Sequence, residues 1–287
     1  MLKTGIISSA FFTIDDFESG MKKVREYGYD GVDYQELASI KDSPIYKMSE
    51  SAAERYLIEV RDCAKANGVE IHQMHGVWPH VDDTTKEGRE QTIEHIKRNI
   101  RDAKTLGCPR VVIHPCMPCL YWGNPYVEEE DFEVNTHLLS SLLPVAKEYG
   151  VKICFENMPF PKWSVFSQAA KIKQLVSQFN DEHIKVCLDT GHFNSEKKDI
   201  YETVCLLGSD LETLHVHDDF YGQDRHLIPY QGEIDWQSFL RGLKDISYKG
   251  CISLETRIAE STPEPMKTQM ALALSGIARH MANEADK

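Results

Sequence analysis

The sequence predicts a single α/β domain, a (β/α)8 TIM barrel spanning residues 1–287, and three observations point there. At five places a glycine is followed within five to seven residues by a side chain of metal-ligand type: Gly68 by His75, Gly107 by His114, Gly150 by Glu156, Gly208 by His215 and Gly250 by Glu255. The residues between are short, apolar and β-branched, as in VVI or VKICF, which is how a strand buried on both faces reads. Segments of helical period separate these strands, and the glycines suit helix C-caps. In a closed barrel of parallel strands the C-terminal ends converge on one face, where active sites of this architecture sit.

The elements follow in order. Leu2 to Ser9 reads as the first strand, and Asp15 to Tyr27 as a helix with acidic residues in its first turn, as the helix dipole favours. Gly31 to Leu37 is the second strand, Ser49 to Ala66 the second helix and Val69 to His75 the third strand. Lys86 to Leu106 carries Ile93, Ile96, Ile100 and Ala103 on one face, a helical period with one wet side. Strand Arg110 to His114, helix Glu128 to Tyr149, strand Lys152 to Glu156 and helix Gln168 to Phe179 continue the alternation. Strand Ile184 to Asp189 precedes a shorter helix, Lys198 to Leu207, and strand Glu212 to His217. The polar stretch Asp218 to Ile234 is too long for an ordinary connection and reads as a functional loop. Asp235 caps the seventh helix, Cys251 to Glu255 is the eighth strand, and Pro265 to Ala282 closes the ring.

Period two within each strand gives an independent check. With Glu156, Asp189, His215 and Glu255 pointing into the barrel, the small residues Cys154, Cys187, Thr213 and Ser253 lie one layer beneath them. Phe155, Leu188, Leu214 and Leu254 then face the helices, and His72 is expected to face them too.

Composition excludes several classes. A formal net charge of -13 works against attraction to a nucleic-acid backbone. Of the eight cysteines, Cys154, Cys187 and Cys251 fall in buried-strand patterns and Cys63 and Cys205 in helical ones, so they read as buried thiols and not as a disulfide framework. Cys116-Met-Pro-Cys119 follows a strand without opening a helix and is expected to be structural. The start MLKTGIISSAFF has no signal-peptide pattern, and no run approaches the roughly 18 apolar residues of a membrane span. A reduced, cytoplasmic protein without membrane or nucleic-acid partners is expected; the oligomeric state is open, a homo-oligomer included.

The strand ends and the loops after them supply His75, His114, Glu156, Asp189, His192, His215, Asp224, His226 and Glu255. A lone histidine at a strand end is most often a satisfied surface or core residue. Five imidazoles and four carboxylates converging on one face would repel and desolvate one another without a cation, so a divalent ion is expected. The histidines lean toward Mn, Co or Zn over Mg. Trp78 and Trp122 follow strand ends and could wall a pocket, His217 shares the inward face with His215, and Asp33 and Gln35 face inward where a substrate would lie.

The pieces FEN at Phe155 to Asn157, DTGH at Asp189 to His192, LHVHD at Leu214 to Asp218 and DRHLIPYQGEIDW at Asp224 to Trp236 resemble the xylose isomerase-like barrels. That superfamily includes sugar isomerases and epimerases, hydroxypyruvate isomerase, inosose dehydratase and endonuclease IV. The resemblance implies that Glu156, Asp189, His215 and Glu255 bind one divalent ion. Glu156 and Glu255 would double as catalytic acid and base in a sugar or sugar phosphate isomerase or epimerase that works through an enediolate. It assigns substrate contacts to His192 and Arg225; His75, His114 and Trp78 are further candidates for them. Two rival readings remain open. All nine residues match the trinuclear zinc site of endonuclease IV, which would make His75, His114, His192, Asp224 and His226 further ligands of a phosphodiesterase centre. A dehydratase of the inosose dehydratase type is the other, beside a non-catalytic sugar binder. The acidic balance and the acidic stretch GVWPHVDDTTKEG argue against the nuclease.

Overall fold

The computed structural model of the protein describes residues 1–11, 14–119, 126–159, 164–194, 198–256, 258–259 and 261–286. Eight parallel strands are ordered β7-β6-β5-β4-β3-β2-β1-β8. They are β1 Lys3–Ile7, β2 Gly31–Tyr34, β3 Glu70–His75, β4 Arg110–Ile113, β5 Lys152–Glu156, β6 Ile184–Asp189, β7 Leu211–His215 and β8 Cys251–Leu254. The ring closes through Val216, which bridges Leu254; its N–H donates to the Ser253 carbonyl at 2.8 Å and its own carbonyl accepts from Glu255 N–H at 3.0 Å. The chain is therefore a single (β/α)8 barrel.

Between and after the strands run α1 Phe17–Glu26, α2 Glu50–Ala66, α3 Lys86–Leu106, α4 Glu128–Tyr149, α5 Ala169–Phe179, α6 Thr190–Phe193, α7 Ile200–Leu207, α8 Trp236–Asp245 and α9 Glu264–Asp286. Side-chain caps explain several starts: Ser49 for α2, Thr85 for α3, Asp199 for α7 and Asp235 for α8 each accept an N–H of the first turn. Gly107 and Gly150 end α3 and α4 with φ of 71° and 65°, a left-handed conformation that only glycine adopts cheaply. Gly250 is not such a cap. It makes room, since a Cβ there would run into Tyr248.

Side-chain alternation sorts the layers as the strand period requires. Phe155, Leu188, Leu214 and Leu254 belong to the large core between strands and helices. Val112, Cys154 and Cys187 form a separate small cluster inside the barrel. His72 departs from the expectation. The β2–β3 register skips it, pairing Val32 with Ile71 and Asp33 with Gln73, and this bulge turns His72 inward. Its Nε2 lies 3.0 Å from Ser253 Oγ, in space left by Gly5 and Gly31. The one-turn α6 is also unexpected; it starts because the Asp189 carboxylate accepts the His192 N–H at 2.6 Å. No helix among the described residues is long and apolar enough to cross a membrane.

If Phe155 packs the outer core while its neighbour Cys154 only fills the narrow interior, Phe155→Ala should lower stability by about 3–5 kcal/mol in equilibrium urea unfolding. Cys154→Ala should cost clearly less. Equal losses would contradict this division of faces.

Candidate metal centre

All nine polar residues singled out at the strand ends meet at the C-terminal mouth of the barrel. Eleven ionisable groups share it: five carboxylates (Asp33, Glu156, Asp189, Asp224, Glu255) and six imidazoles (His75, His114, His192, His215, His217, His226). His215 sits at the middle. Its Nδ1 lies 2.9 Å from Glu156 Oε1 and 3.4 Å from Glu255 Oε2, while Nε2–H donates to Asp33 Oδ2 at 2.8 Å. A cavity of about 350 Å³ opens above, walled by Gln35, Trp78, Met158 and Pro159 over the histidines and carboxylates. None of its described lining residues is Lys or Arg.

Hydrogen bonds on the outer side of the rings fix which nitrogen faces the cavity. His75 Nδ1–H donates to the Gly76 carbonyl at 2.7 Å, His192 Nδ1–H to the Asn157 carbonyl at 2.8 Å and His226 Nδ1–H to the Glu255 carbonyl at 2.8 Å. Each therefore turns Nε2 inward. In a neutral ring that nitrogen is a lone pair, and it faces a carboxylate: Glu156 Oε2 at 3.7 Å for His75, Asp224 Oδ1 at 3.7 Å for His192 and 3.3 Å for His226. Lone pairs opposed to carboxylate oxygens are repulsive unless a cation lies between them, and an outer carbonyl holding the other N–H is how ligand histidines are oriented. Glu156 Oε2 itself is buried 3.1 Å from His114 Nε2, yet in hydrogen-bond alignment with nothing. These residues fit a divalent ion.

The loop after β7 supplies two members and is built to hold them. Asp218 and Leu227 exchange backbone hydrogen bonds at 2.8 and 2.9 Å, and Asp218 Oδ2 accepts from Trp236 Nε1 at 2.9 Å. His226 has φ of 53°, rare for a non-glycine residue, and strain of this kind recurs at functional sites.

Electrostatics show what the ring of acids does in the absence of a cation. Burial pushes the Glu156 carboxyl up, but His215 and His114 outweigh it and hold it well below the usual range. For Asp189, burial is likewise overcome by His192 and His217. Burial works to lower His215, yet the Glu156 and Glu255 carboxylates and the Asp33 hydrogen bond raise it well above the ordinary imidazole value. His192 is raised against burial by Asp189, Glu156 and Asp224, and His217 to about 9, mainly by Asp189. His114 is the exception: burial drags it down to about 4, so it is neutral at physiological pH.

Some expectations shift. Asp33 does not reach the cavity; it is fully buried, held by Gln73 Nε2 at 3.1 Å, and supports His215. Gln35 does line the cavity and donates to Glu255 Oε1 at 3.4 Å. Trp78 lines it too, its ring 4.4 Å from that of His114. The Arg225 side chain is exposed and not part of the described lining; its backbone N–H donates to Asp219. Trp122 lies outside the described residues. Two residues outside the expected ligand set support Asp189: His217, expected to face inward with His215, whose Nε2 lies 3.0 Å from the Asp189 carboxylate under Gly191, and Asn157, which clamps the Asp189 backbone at 2.8 and 2.9 Å. The alternation of β7 flagged the first; the second stands in the FEN piece, but nothing in the sequence indicated its clamp on Asp189.

Residues 21–275 match the family model described as xylose isomerase-like TIM barrel. The chain belongs to that family. An inosose isomerase of Halalkalibacterium halodurans is 26% identical over 90% of this chain and 91% of its own. The structure of D-psicose 3-epimerase with D-tagatose from Clostridium cellulolyticum superposes with a TM-score of 0.80 at 19% identity, covering 98% of this chain and 99% of that one. The IOLI protein with a binding zinc atom gives 0.75 at 20% identity, over 99% and 98%. At these identities the two structures establish the fold, and the curated relatives include inosose isomerases and D-psicose 3-epimerases beside uncharacterized proteins.

Two outcomes follow. Asp33→Asn should weaken divalent-ion affinity by about 10–100-fold in equilibrium dialysis, the usual effect of losing a partner behind a ligand; unchanged affinity would remove Asp33 from the centre. Because the carboxylates around His215 raise its pKa well above the ordinary imidazole value, an ion binding at Nδ1 must displace a proton from that ring. Calorimetric heats of loading should therefore depend on the buffer's ionisation enthalpy, and affinity should fall as pH falls. Identical heats in all buffers would contradict this.

Proposed function

We propose that the protein is a metal-dependent isomerase or epimerase of a sugar, with Glu156, Asp189, His215 and Glu255 as ligands of one divalent ion. The observation that carries this reading is the pair Glu156 and Glu255, both directed at Nδ1 of His215 from different strands, beneath a cavity of sugar size. When bound, the ion supplies Lewis-acid polarisation of a substrate carbonyl and its neighbouring hydroxyl. One glutamate takes the proton from the carbon between these groups, generating an enediolate, and the other returns a proton from the opposite side or to the adjacent carbon. Gln35 orients Glu255 through its 3.4 Å hydrogen bond. His192, His75 and His114 reach substrate hydroxyls from the rim, and Trp78 offers an apolar face for C–H surfaces. Arg225 is proposed to contact substrate at the outer edge of the mouth.

A sugar or a sugar phosphate is the substrate class on this reading; among the described residues the lining offers carboxylates, imidazoles, the Gln35 amide and the Trp78 ring. Fewer histidines would suffice for one ion, and a second reading rests on that surplus. His75, His114 and Glu156 form one compact group of donors, and Asp224 and His226 with His217 another. The inward Nε2 atoms of His75, His114, His192 and His226 would serve additional ions, up to the three of a phosphodiesterase centre. Zinc, manganese or cobalt suits this donor set better than magnesium.

Incubation of metal-loaded protein with a panel of ketoses in deuterated water should place deuterium on carbon. Glu156→Gln and Glu255→Gln should each slow exchange by about 10²–10⁴-fold, the usual contribution of a positioned acid or base. No exchange with any sugar, together with three ions per chain by plasma emission and cleavage of an abasic oligonucleotide, would replace the isomerase with a nuclease.

A further inference from the structure

A second cluster of ligand-type side chains lies behind the cavity wall, in the loops that follow β3 and β4. His80 and Asp83 come from the first loop and Cys116 from the second, and all three are more than nine-tenths buried. One donor atom from each lies within 4.8 Å of the other two. Their backbones are pinned from outside. Asn135 on α4 accepts the Cys116 N–H at 2.8 Å and donates to the Cys116 carbonyl at 2.9 Å, and Met117 N–H donates to Asp83 Oδ2 at 2.8 Å. Arg89 spends its guanidinium on the Asp83 carbonyl, at 2.7 Å, and not on the carboxylate. Among the described residues Asp83 thus has no Lys or Arg ion pair, only His80 Nδ1 at 2.8 Å. Nε2 of His80 is buried without a hydrogen-bond partner, so this imidazole offers a second nitrogen that the fold leaves unused.

We propose that His80, Asp83 and Cys116 form a second metal site, distinct from the centre at the barrel mouth, for a divalent ion of zinc type. Mixed nitrogen, oxygen and sulfur donors suit Zn²⁺ or Co²⁺ and not Mg²⁺ or Ca²⁺. Three protein ligands leave one tetrahedral position for a water molecule. Burial and the Asp83 charge keep the Cys116 thiol protonated in the free protein, so binding releases one proton as the S–H bond gives way to a metal–thiolate bond. The ion would tie the two loops together directly behind Trp78, whose ring lies 5.1 Å from that of His80 and 4.4 Å from that of His114. It is a structural clip for the wall of the cavity.

Cobalt distinguishes this site from the mouth, because sulfur-to-cobalt charge transfer in the near ultraviolet requires a bound thiolate. The full chain loaded with Co²⁺ should show that band, and Cys116→Ser and His80→Ala should lose it. Cys187→Ser, which removes the one thiol grouped with Glu156 and His215, should keep it. Absence of the band in the wild type while visible d–d absorption shows cobalt bound would overturn the proposal. So would a band that survives Cys116→Ser or vanishes in Cys187→Ser.

Discussion

Burying several carboxylates at one point, with no lysine or arginine among the described residues that line it, is the constraint around which this molecule is arranged. A buried carboxylate costs several kcal/mol unless its charge is met. Here Glu156, Asp189 and Asp33 are all essentially inaccessible and face one another across imidazoles. In the absence of an ion, the acids raise the proton affinity of His192, His215 and His217 against the effect of burial. A divalent ion would answer the same charge, and the hydrogen bonds behind three of the rings hold Nε2 toward the place it would take.

The barrel matters because it lets residues more than a hundred positions apart share that point while their backbones remain in rigid ladders. Glu156 ends one strand and His215 another two places along the sheet, and the Val216 bridge to Leu254 brings Glu255 alongside. Backbone carbonyls of Gly76, Asn157 and Glu255 then choose the tautomers of three histidines. Carbonyls at strand ends do not titrate, so the choice persists whatever the protonation of the acids. Membership of the xylose isomerase-like family is consistent with this economy: a common ring of strand ends, with the loops above left to select the substrate.

Much of this was legible in the sequence because strand interiors advertise themselves twice, by apolar content and by period two. The limits of α3 and α4 and of β5 and β6 coincide with the expected ones, since the Thr85 cap, the acidic first turn of α4, the terminal glycines Gly107 and Gly150 and the apolar runs mark them. β2 stops at Tyr34 and not Leu37, because the Ala38 N–H turns back to the Gln35 carbonyl at 2.9 Å, a turn that apolar content does not reveal. His72 was misread because a bulge shifts the period by one, and the residues that make room for it, Gly5 and Gly31, are distant in sequence. The ligand-type residues at the strand ends were visible. Asp33 as a support for His215, and Asn157 as a clamp on Asp189, were not, since a supporting role depends on which neighbour a strand receives.

Whether a cation is held among Glu156, Asp189, His215 and Glu255 is decided by anomalous diffraction from crystals grown with Mn²⁺. An anomalous peak bounded by those four side chains is expected. Crystals with no peak at that position, under conditions where manganese is present and the four side chains are ordered, would contradict it.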